Sequence, residues 1–407
     1  MNQHNLLSGL IQNKPYKKRQ IRKDFLEPPL KVAGLFSGIG GVELGMSKSG
    51  HENVLFCEID EGAKAVLSNK FKQVKIISDV RKLSKLPENV NTLTGGFPCQ
   101  DLSQAGKGAG IIRGKESSLV GEVFRIVKSN SIENVIIENV PFMLSLDSGK
   151  AMEVLTSSFE ELGYSWAYRV VDSACFGVPQ RRQRVIFLAT KALDPREILF
   201  SDVTELPILD KNSLGEFACG FYWTEGIRGL GWAVDSVPTI KGGSTIGIPS
   251  PPAICLPCGM IGTPDIRDTE RMQGFPEDWT KPASRVQRNS MRWKLIGNAV
   301  TVNVFEWIGS RFRAPNPEGR NVCGWEIREG KKWPSSGWNV GEGRFGLELS
   351  YFPANFKRKP MKDWLKYPLK PLSERATRGF LSRLERSKLN FPNGFESLIR
   401  KHLVDRY

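Results

Sequence analysis

A single cysteine stands in a short loop of glycine and proline, at residues 95–100, Gly-Gly-Phe-Pro-Cys-Gln. The apolar run before this loop predicts a buried strand. Active sites of open α/β sheets form at the carboxyl ends of the strands, and a thiolate with a lowered pKa is a strong nucleophile there. A buried, unreactive cysteine is the ordinary alternative, but the loop favours Cys99 as a nucleophile.

A carboxyl group is predicted at the same edge of the sheet, because the next buried strand ends at residues 137–141, Ile-Glu-Asn-Val-Pro. Glu138 and Cys99 together suit methylation of cytosine at C5. That carbon reacts only after a thiolate has added at C6 while an acid protonates, or hydrogen-bonds to, N3; C5 then behaves as an enamine carbon. A helix cap is the alternative role of Glu138.

Three arginines stand at the start of a further predicted strand, at residues 180–184, Gln-Arg-Arg-Gln-Arg. Alternate residues of a strand point to one side, so Gln180, Arg182 and Arg184 share a face. Two guanidinium groups there can hold a base carbonyl and a phosphate, or a carboxylate such as Glu138. A solvated basic strand start is the alternative.

The ends of the first three strands predict a cofactor crevice. Residues 36–41, Phe-Ser-Gly-Ile-Gly-Gly, let the backbone turn tightly and approach a ligand, but Glu43 stands where a dinucleotide site needs its third glycine. A carboxylate there suits the uncharged ribose and the cationic sulfonium of S-adenosylmethionine better than a pyrophosphate. Acids at the next two strand ends, Glu58 and Asp79, could bind a ribose and an adenine amino group, although each alone is more often a helix cap.

The surrounding pattern alternates strands with helices. Strands are predicted at 32–36, 54–57, 74–77, 92–95, 134–137 and 184–188, and helices at 61–71, 119–129 and 150–162. This alternation predicts an α/β fold with a mostly parallel sheet covered by helices on both faces. Residues 191–267 are irregular and rich in Gly, Pro and Thr, which predicts a smaller second domain.

The formal net charge of +15 indicates a polyanionic partner. Residues 1–31 contain seven Lys/Arg and two Asp/Glu, and residues 311–407 contain 21 and 10. The segment between them is nearly neutral, and residues 191–267 hold six basic and nine acidic residues. The excess positive charge therefore lies in the two flanks.

The seven cysteines are scattered and odd in number, which suits a reducing compartment. Cys255 and Cys258 form a C-x-x-C pair, but no second pair accompanies it, so no metal is expected. The polar, basic N-terminus has no apolar signal-like stretch, and no apolar run is long enough to span a membrane. We expect a cytoplasmic protein that does not bind membranes.

These blocks, taken together, resemble the bacterial DNA cytosine-5 methyltransferases of restriction-modification systems. The resemblance covers residues 32–310 in the family's usual order, with matching blocks at 36–41, 96–100, 138–140, 180–184, 271–276 and 297–300. It implies a Rossmann-like S-adenosylmethionine-dependent methyltransferase sheet. Thr239-Ile240 is similar to the Thr-Leu pair of the family's variable target-recognition region.

The resemblance also implies the roles of individual residues. Cys99 would bond to C6, Glu138 would contact N3 and the amino group, and Arg182 and Arg184 would steady the base and the active-site loop. Residues 100–115 would close over a flipped-out cytosine. The residues implied around S-adenosylmethionine, which becomes S-adenosylhomocysteine, are Phe36, Gly38, Gly40, Glu58, Ile59, Asp79, Val80, Asn298 and Val300.

The implied organisation has four parts. Residues 1–30 form a basic arm; residues 31–190, completed by 291–312, form the catalytic and cofactor-binding domain; residues 191–290 form the target-recognition domain; and residues 313–407 form a basic extension. Double-stranded DNA is the implied partner, a cognate restriction endonuclease is a candidate one, and we expect a monomer. The family gives no role for the extension, whose interleaved cations and aromatic residues suggest contact with the DNA backbone. A solvated basic surface packed on the core by its Trp residues is an equal alternative.

Three alternatives stay open on sequence alone. One is an RNA cytosine-5 methyltransferase on the same fold, which the recognition-like segment disfavours. Another is a catalytically silent DNA-binding relative, which the intact Cys99, Glu138 and Arg182 disfavour. The third is a dinucleotide-dependent oxidoreductase, which Glu43 in place of the third glycine disfavours.

Overall fold

The computed structural model describes residues 26–97, 119–205, 213–243 and 249–407. Within these ranges the chain forms two β-sheets. The strands are β1 Lys31–Leu35, β2 Glu52–Cys57, β3 Lys75–Ile77, β4 Thr92–Gly95, β5 Asn134–Asn139, β6 Ser165–Asp172, β7 Gln183–Thr190, β8 Cys219–Phe221, β9 Trp232–Val234, β10 Ala253–Cys255, β11 Ile261–Thr263, β12 Trp325–Glu326, β13 Ser336–Asn339, β14 Phe345–Leu347 and β15 Lys370–Pro371.

Helices lie on both faces of the larger sheet and also against the smaller sheet. They are α1 Gly41–Lys48, α2 Glu61–Lys70, α3 Leu119–Ser129, α4 Lys150–Glu161, α5 Arg196–Leu199, α6 Ile266–Met272, α7 Met291–Asn298, α8 Val302–Arg313, α9 Met361–Trp364, α10 Glu374–Glu385 and α11 Phe395–Arg406. Helices α1 and α8 share one apolar core with the sheet, and α3 and α4 share another. The predicted α/β class is confirmed.

The larger sheet has ten strands in the order β12-β14-β13-β6-β7-β5-β4-β1-β2-β3. Strands β1 to β5 pair in parallel, so their carboxyl ends meet at one edge, which we call the active edge. Gly95 lies between Leu35 and Ile137 in the register. The turn that joins β6 to β7 lies at the same edge, because β7 pairs antiparallel with β5 and its first residue Gln183 lies opposite Asp172. The six predicted strands are confirmed, whereas β6 was not predicted.

The C-terminal extension contributes to both sheets. Strand β13 pairs antiparallel with β6 and carries β14 and β12 beyond it. Trp333, which is 1% exposed, packs against Trp166 and Tyr168 of β6. Residues 313–407 therefore do not form a separate part of the molecule, because their large aromatic side chains complete the cores of the two sheets.

The smaller sheet has the order β15-β11-β10-β8-β9. Phe221 of β8 packs against Phe380 of α10 and Phe395 of α11, and all three side chains are fully buried. Half of the buried residues in this core thus lie in the C-terminal segment from Leu372 to Ile399. Residues 275–299 do not pack on the smaller sheet. They pack beside the larger sheet, because Trp279 and Ala283 share a core with Ala63 of α2.

Candidate active site

A cleft opens at the active edge, where β1, β4 and β5 end and the turn after α7 approaches them. Its lining comes from four segments of the chain. The lining residues are Leu35, Phe36, Ser37, Gly38, Ile39, Gly41, Val42, Glu43, Thr94, Gly95, Gly96, Glu138, Asn298, Ala299 and Val300. The structure therefore brings together Phe36, Gly38, Asn298 and Val300, which the resemblance assigned to S-adenosylmethionine, with Glu138, which it assigned to the base.

The floor of the cleft is a left-handed turn. Phe36, Gly38 and Gly40 have φ of 55°, 54° and 81°, a conformation that glycine adopts readily and that strains phenylalanine. The backbone N–H of Gly38 donates to Glu58 Oε2 at 2.7 Å, which fixes the turn against the end of β2. A Cβ at Gly40 would lie 2.7 Å from the Phe71 ring, so this position requires glycine.

The other predicted cofactor residues lie beyond the cleft lining. Glu58 accepts from the N–H groups of Ile59 and Asp60 as well as Gly38, and the Ile59 side chain is 66% exposed. Asp79 pairs with Arg81 at 2.8 Å, and hydrogen bonds from Arg81 lower the pKa of the Asp79 carboxyl. The Val80 side chain packs into the apolar core.

Four buried polar atoms of the cleft lining have no hydrogen-bond partner among the described residues. They are Ser37 Oγ, Glu43 Oε2, Thr94 Oγ1 and Glu138 Oε1. Glu43 is 1% exposed, and burial raises the pKa of its carboxyl to about 7, with a smaller contribution from the charge of Glu58. Unpaired buried polar atoms require a partner, so this cleft fits a ligand with several polar groups and a positive charge, as S-adenosylmethionine has. Sequence reasoning noted Glu43 but gave no role to Ser37, although it lies in the block at 36–41, or to Thr94, which lies in no block.

Glu138 and Arg184 form an ion pair at the rim of the cleft, with 2.8 Å between Glu138 Oε1 and Arg184 Nε. Their side chains are 13% and 15% exposed. No described donor has hydrogen-bond geometry to Oε1, so the arginine supplies charge while the carboxyl keeps hydrogen-bonding capacity. A Cβ at Gly96 would lie 3.4 Å from Glu138 Oε2, which places the chain toward Cys99 directly beside the carboxyl.

The chain leading to Cys99 is held by Asn139, whose Nδ2 donates to the Phe97 carbonyl at 3.1 Å. The Val140 N–H in turn donates to Asn139 Oδ1, which orients the amide. Cys99 and the predicted closing loop at 100–115 lie outside the described residues.

Arg182 faces backbone carbonyls rather than the cleft. Its guanidinium donates to the carbonyls of Ile240 at 2.9 Å, Ala299 at 2.7 Å and Gly297 at 3.3 Å. The side chain is fully enclosed, and this burial lowers its pKa to about 9. Arg182 therefore joins the loop that contains Thr239 and Ile240 to the turn that closes the cleft.

Gln180 and Gln273 extend this junction. Gln180 accepts from the Ile240 N–H at 2.9 Å and donates to Gln273 Oε1 at 2.9 Å. Gln273 donates to the carbonyls of Ile296 and Ala299. The shared face predicted for Gln180, Arg182 and Arg184 is consistent with these contacts. Gln273 was missed as a positioning residue, although it lies in the recognised block at 271–276.

Side-chain contacts join the residues just after β8 to the loop after β9. Lys241 Nζ lies 4.1 Å from the centre of the Tyr222 ring and donates to Glu225 at 2.9 Å. The Tyr222 hydroxyl donates to the Thr239 carbonyl at 2.7 Å.

Within the part of the chain described, no cluster of His, Cys, Asp or Glu could hold a metal ion, and no helix has the length and apolar character to cross a membrane.

The sequence comparisons with known proteins identify one family. The sequence model of C-5 cytosine-specific DNA methylases matches residues 30–213 and 265–313. Type II methyltransferase M2.BsuMI of Bacillus subtilis (strain 168) is 47% identical over 378 residues, covering 90% of this chain and 96% of that protein. Type II methyltransferase M.MspI of Moraxella sp is 29% identical over 326 residues, covering 72% of each. The crystal structure of S. pombe Dnmt2 methyltransferase aligns with a TM-score of 0.47 and 16% identity, over 70% of this chain and 98% of that chain.

Proposed function

Because the chain belongs to the C-5 cytosine-specific DNA methylase family and is a DNA cytosine-5 methyltransferase of the restriction-modification type, we propose how its residues carry out the reaction. The enzyme takes a methyl group from S-adenosylmethionine and transfers it to a cytosine flipped out of a specific duplex sequence. Cys99 is the nucleophile and Glu138 is the acid at N3. The observation that carries this assignment is the Glu138–Arg184 pair, which lies beside Gly96 at the rim of the cleft.

The cleft residues would hold the cofactor. Phe36, Gly38, Asn298 and Val300 line it. We keep Gly40, Glu58, Ile59, Asp79 and Val80 in the assignment on the resemblance alone. Bound there, S-adenosylmethionine supplies an electrophilic methyl group on a positively charged sulfur. We add Glu43 to this set, because its buried carboxyl has an oxygen without a partner among the described residues. Asp79 is already paired with Arg81, so its contact with an adenine amino group would compete with that ion pair.

The base is activated in two linked steps. The Cys99 thiolate forms a bond to C6 while Glu138 hydrogen-bonds to, or protonates, N3, so that electron density moves to C5. Once C5 carries the methyl group, loss of its proton expels the thiolate and restores the aromatic ring. Arg184 holds Glu138 in position, whereas Arg182 acts through the backbone of the recognition-side loop and is a positioning residue.

The test is the pair of proteins Cys99→Ala and wild type in a host that carries a reporter plasmid. Bisulfite sequencing should show one methylated sequence with the wild type and none with the variant. Calorimetry should give the variant nearly unchanged affinity for S-adenosylmethionine, since the cofactor contacts lie elsewhere. Methylation by Cys99→Ala would exclude Cys99 as the nucleophile. Methylation of tRNA but not of duplex DNA by the wild type would favour the RNA alternative.

We propose that the enzyme acts as a cytoplasmic monomer alongside a restriction endonuclease that cleaves the same sequence. The Type II methyltransferases among its relatives support this pairing. The sequence identified by bisulfite sequencing should protect DNA from that endonuclease. Light scattering that gave twice the mass of one chain would contradict the monomer.

A further inference from the structure

Much of the positive charge in the C-terminal extension is neutralised within the fold. Arg344 pairs with Glu160 at 2.6 Å, Arg358 pairs with Asp235 at 2.7 Å, and Arg320 pairs with Glu197. These arginines hold the extension against the two sheets. The surplus that could attract DNA must therefore come from the cations that remain exposed and unpaired.

One such pair of cations lies in the segment of residues 351–359, which crosses the active edge. The Tyr351 carbonyl accepts from the N–H of Asp172, the last residue of β6, at 2.9 Å. The Phe356 N–H donates to the Cys175 carbonyl at 2.9 Å, in the turn between β6 and β7. Because that turn lies at the edge where Glu138 ends β5, the segment stands on the side that a DNA substrate must approach.

Arg358 fixes the orientation of the two neighbouring lysines. Its guanidinium contacts Asp235 Oδ2 and Ser236 Oγ and is 15% exposed, so it points into the protein. Lys357 and Lys359 are exposed, and no described residue pairs with either ammonium group. Tyr351 and Phe356, at 37% and 40% exposure, add aromatic surface to the same segment.

Two other cations near this edge, among the described residues, are already in ion pairs. Arg181 beside the segment is already paired with Asp172 at 2.8 Å, and Lys241 is paired with Glu225. The recognition region 191–267 holds more acidic than basic residues. Binding to duplex DNA nonetheless requires several neutralised phosphates.

We propose that Lys357 and Lys359 contact backbone phosphates of the DNA that flanks the target cytosine. This inference rests on the proposed function only in taking duplex DNA as the substrate. Phosphate contacts position a protein and carry no sequence information. The two lysines therefore set affinity and salt sensitivity, while the methylated sequence is read elsewhere.

Removing the extension would not test this, because Trp333, Phe380 and Phe395 are core residues and the truncated chain would lose its fold. The double variant Lys357→Gln/Lys359→Gln keeps these contacts. Lys85→Gln/Lys128→Gln is the matched control. Both of its lysines are exposed and lie at the opposite edge of the sheet, where the Leu86 N–H donates to Asn130 just beyond α3.

The affinity of each protein is measured from 50 to 200 mM salt, on a duplex with the methylated sequence and on a scrambled duplex. Each lost phosphate contact flattens the slope of log affinity against log salt by about 0.9, so the double variant should lose about 1.8 and the control nothing. Over this range the wild type should then lose about tenfold more affinity than the variant. Equal slopes for variant and wild type, or a changed methylated sequence, would overturn the proposal. A wild type that binds duplex DNA with the steeper slope but methylates no cytosine would count against the proposed function and leave the phosphate contacts supported.

Discussion

Glu43→Gln replaces a carboxyl that is 1% exposed with an uncharged amide of nearly the same shape. Burial raises the pKa of Glu43 from an ordinary 4.5 to about 7 in the folded chain. Between pH 4.5 and about 7, the folded chain therefore binds a proton that the unfolded chain does not. The contribution of this carboxyl to the free energy of unfolding is fully present below pH 4.5 and is lost as the pH rises through 7. At about 1.4 kcal/mol per pH unit, the wild type loses about 3 kcal/mol that the glutamine variant keeps.

The assay is thermal unfolding of the wild type and Glu43→Gln, without cofactor, from pH 5 to pH 8. The two proteins should unfold at nearly the same temperature at pH 5, where the carboxyl is protonated, and the variant should unfold a few degrees higher at pH 8. Glu88→Gln, at an exposed position, is the control and should show no such divergence. A difference in unfolding temperature between variant and wild type that does not change with pH would contradict a raised pKa of Glu43.

The same carboxyl should couple cofactor binding to pH. A cationic ligand favours ionised Glu43, so the affinity of the wild type for S-adenosylmethionine should rise as the pH approaches 7. Glu43→Gln should bind more weakly at pH 8 and show a flatter pH dependence. Calorimetry measures both, and parallel pH profiles would show that Glu43 does not face the cofactor.

Two further substitutions separate catalysis from positioning. Glu138→Gln keeps the shape of the side chain but removes the acid, so single-turnover methylation should fall by roughly 10²-fold or more while DNA binding changes little; an unchanged rate would exclude Glu138 from the reaction. Arg182→Met removes the guanidinium from the carbonyls of Ile240 and Gly297 and leaves the Ala299 carbonyl to Gln273 alone, so it should destabilise the fold by about 2 kcal/mol, measured by urea unfolding; unchanged stability would contradict the positioning role.

The elements around the cleft could be predicted because each candidate site residue stands at the end of an apolar strand. Phe36, Gly96 and Glu138 lie at the ends of β1, β4 and β5, and parallel strands bring such ends to one edge. The hydrophobic pattern therefore located the edge before any contact was known. The role of Cys99 remains a prediction, since the residue lies outside the described ranges.

The remaining contacts could not be predicted because they join distant parts of the chain. Arg182 binds backbone carbonyls of residues 240, 297 and 299, and backbone partners leave no signature in a sequence. Strand β6 contains Arg169, which is fully buried and donates to the carbonyls of Leu199, Asp202 and Ser350. A cation in a strand ordinarily indicates an exposed face. The hydrophobic pattern therefore did not predict β6 as a buried strand.

The extension was misleading for a related reason. Its aromatic and basic residues suggested one surface for nucleic acid, whereas Trp333 and Phe380 are buried in two different cores. Composition reports which residues are present but not which of them find partners far away in the chain. Our proposal assigns to Lys357 and Lys359, at the active edge, the charge role that the composition suggested for the whole segment.

The most direct test of the mechanism is covalent trapping on duplex DNA that carries 5-fluorocytosine at the methylated position. Fluorine cannot leave as the C5 proton does, so the bond between Cys99 and C6 should persist after methyl transfer. Denaturing electrophoresis should show a protein–DNA adduct with the wild type and S-adenosylmethionine, and none with Cys99→Ala. Absence of the adduct with an active wild type, or an equal adduct with Cys99→Ala, would contradict nucleophilic attack by Cys99.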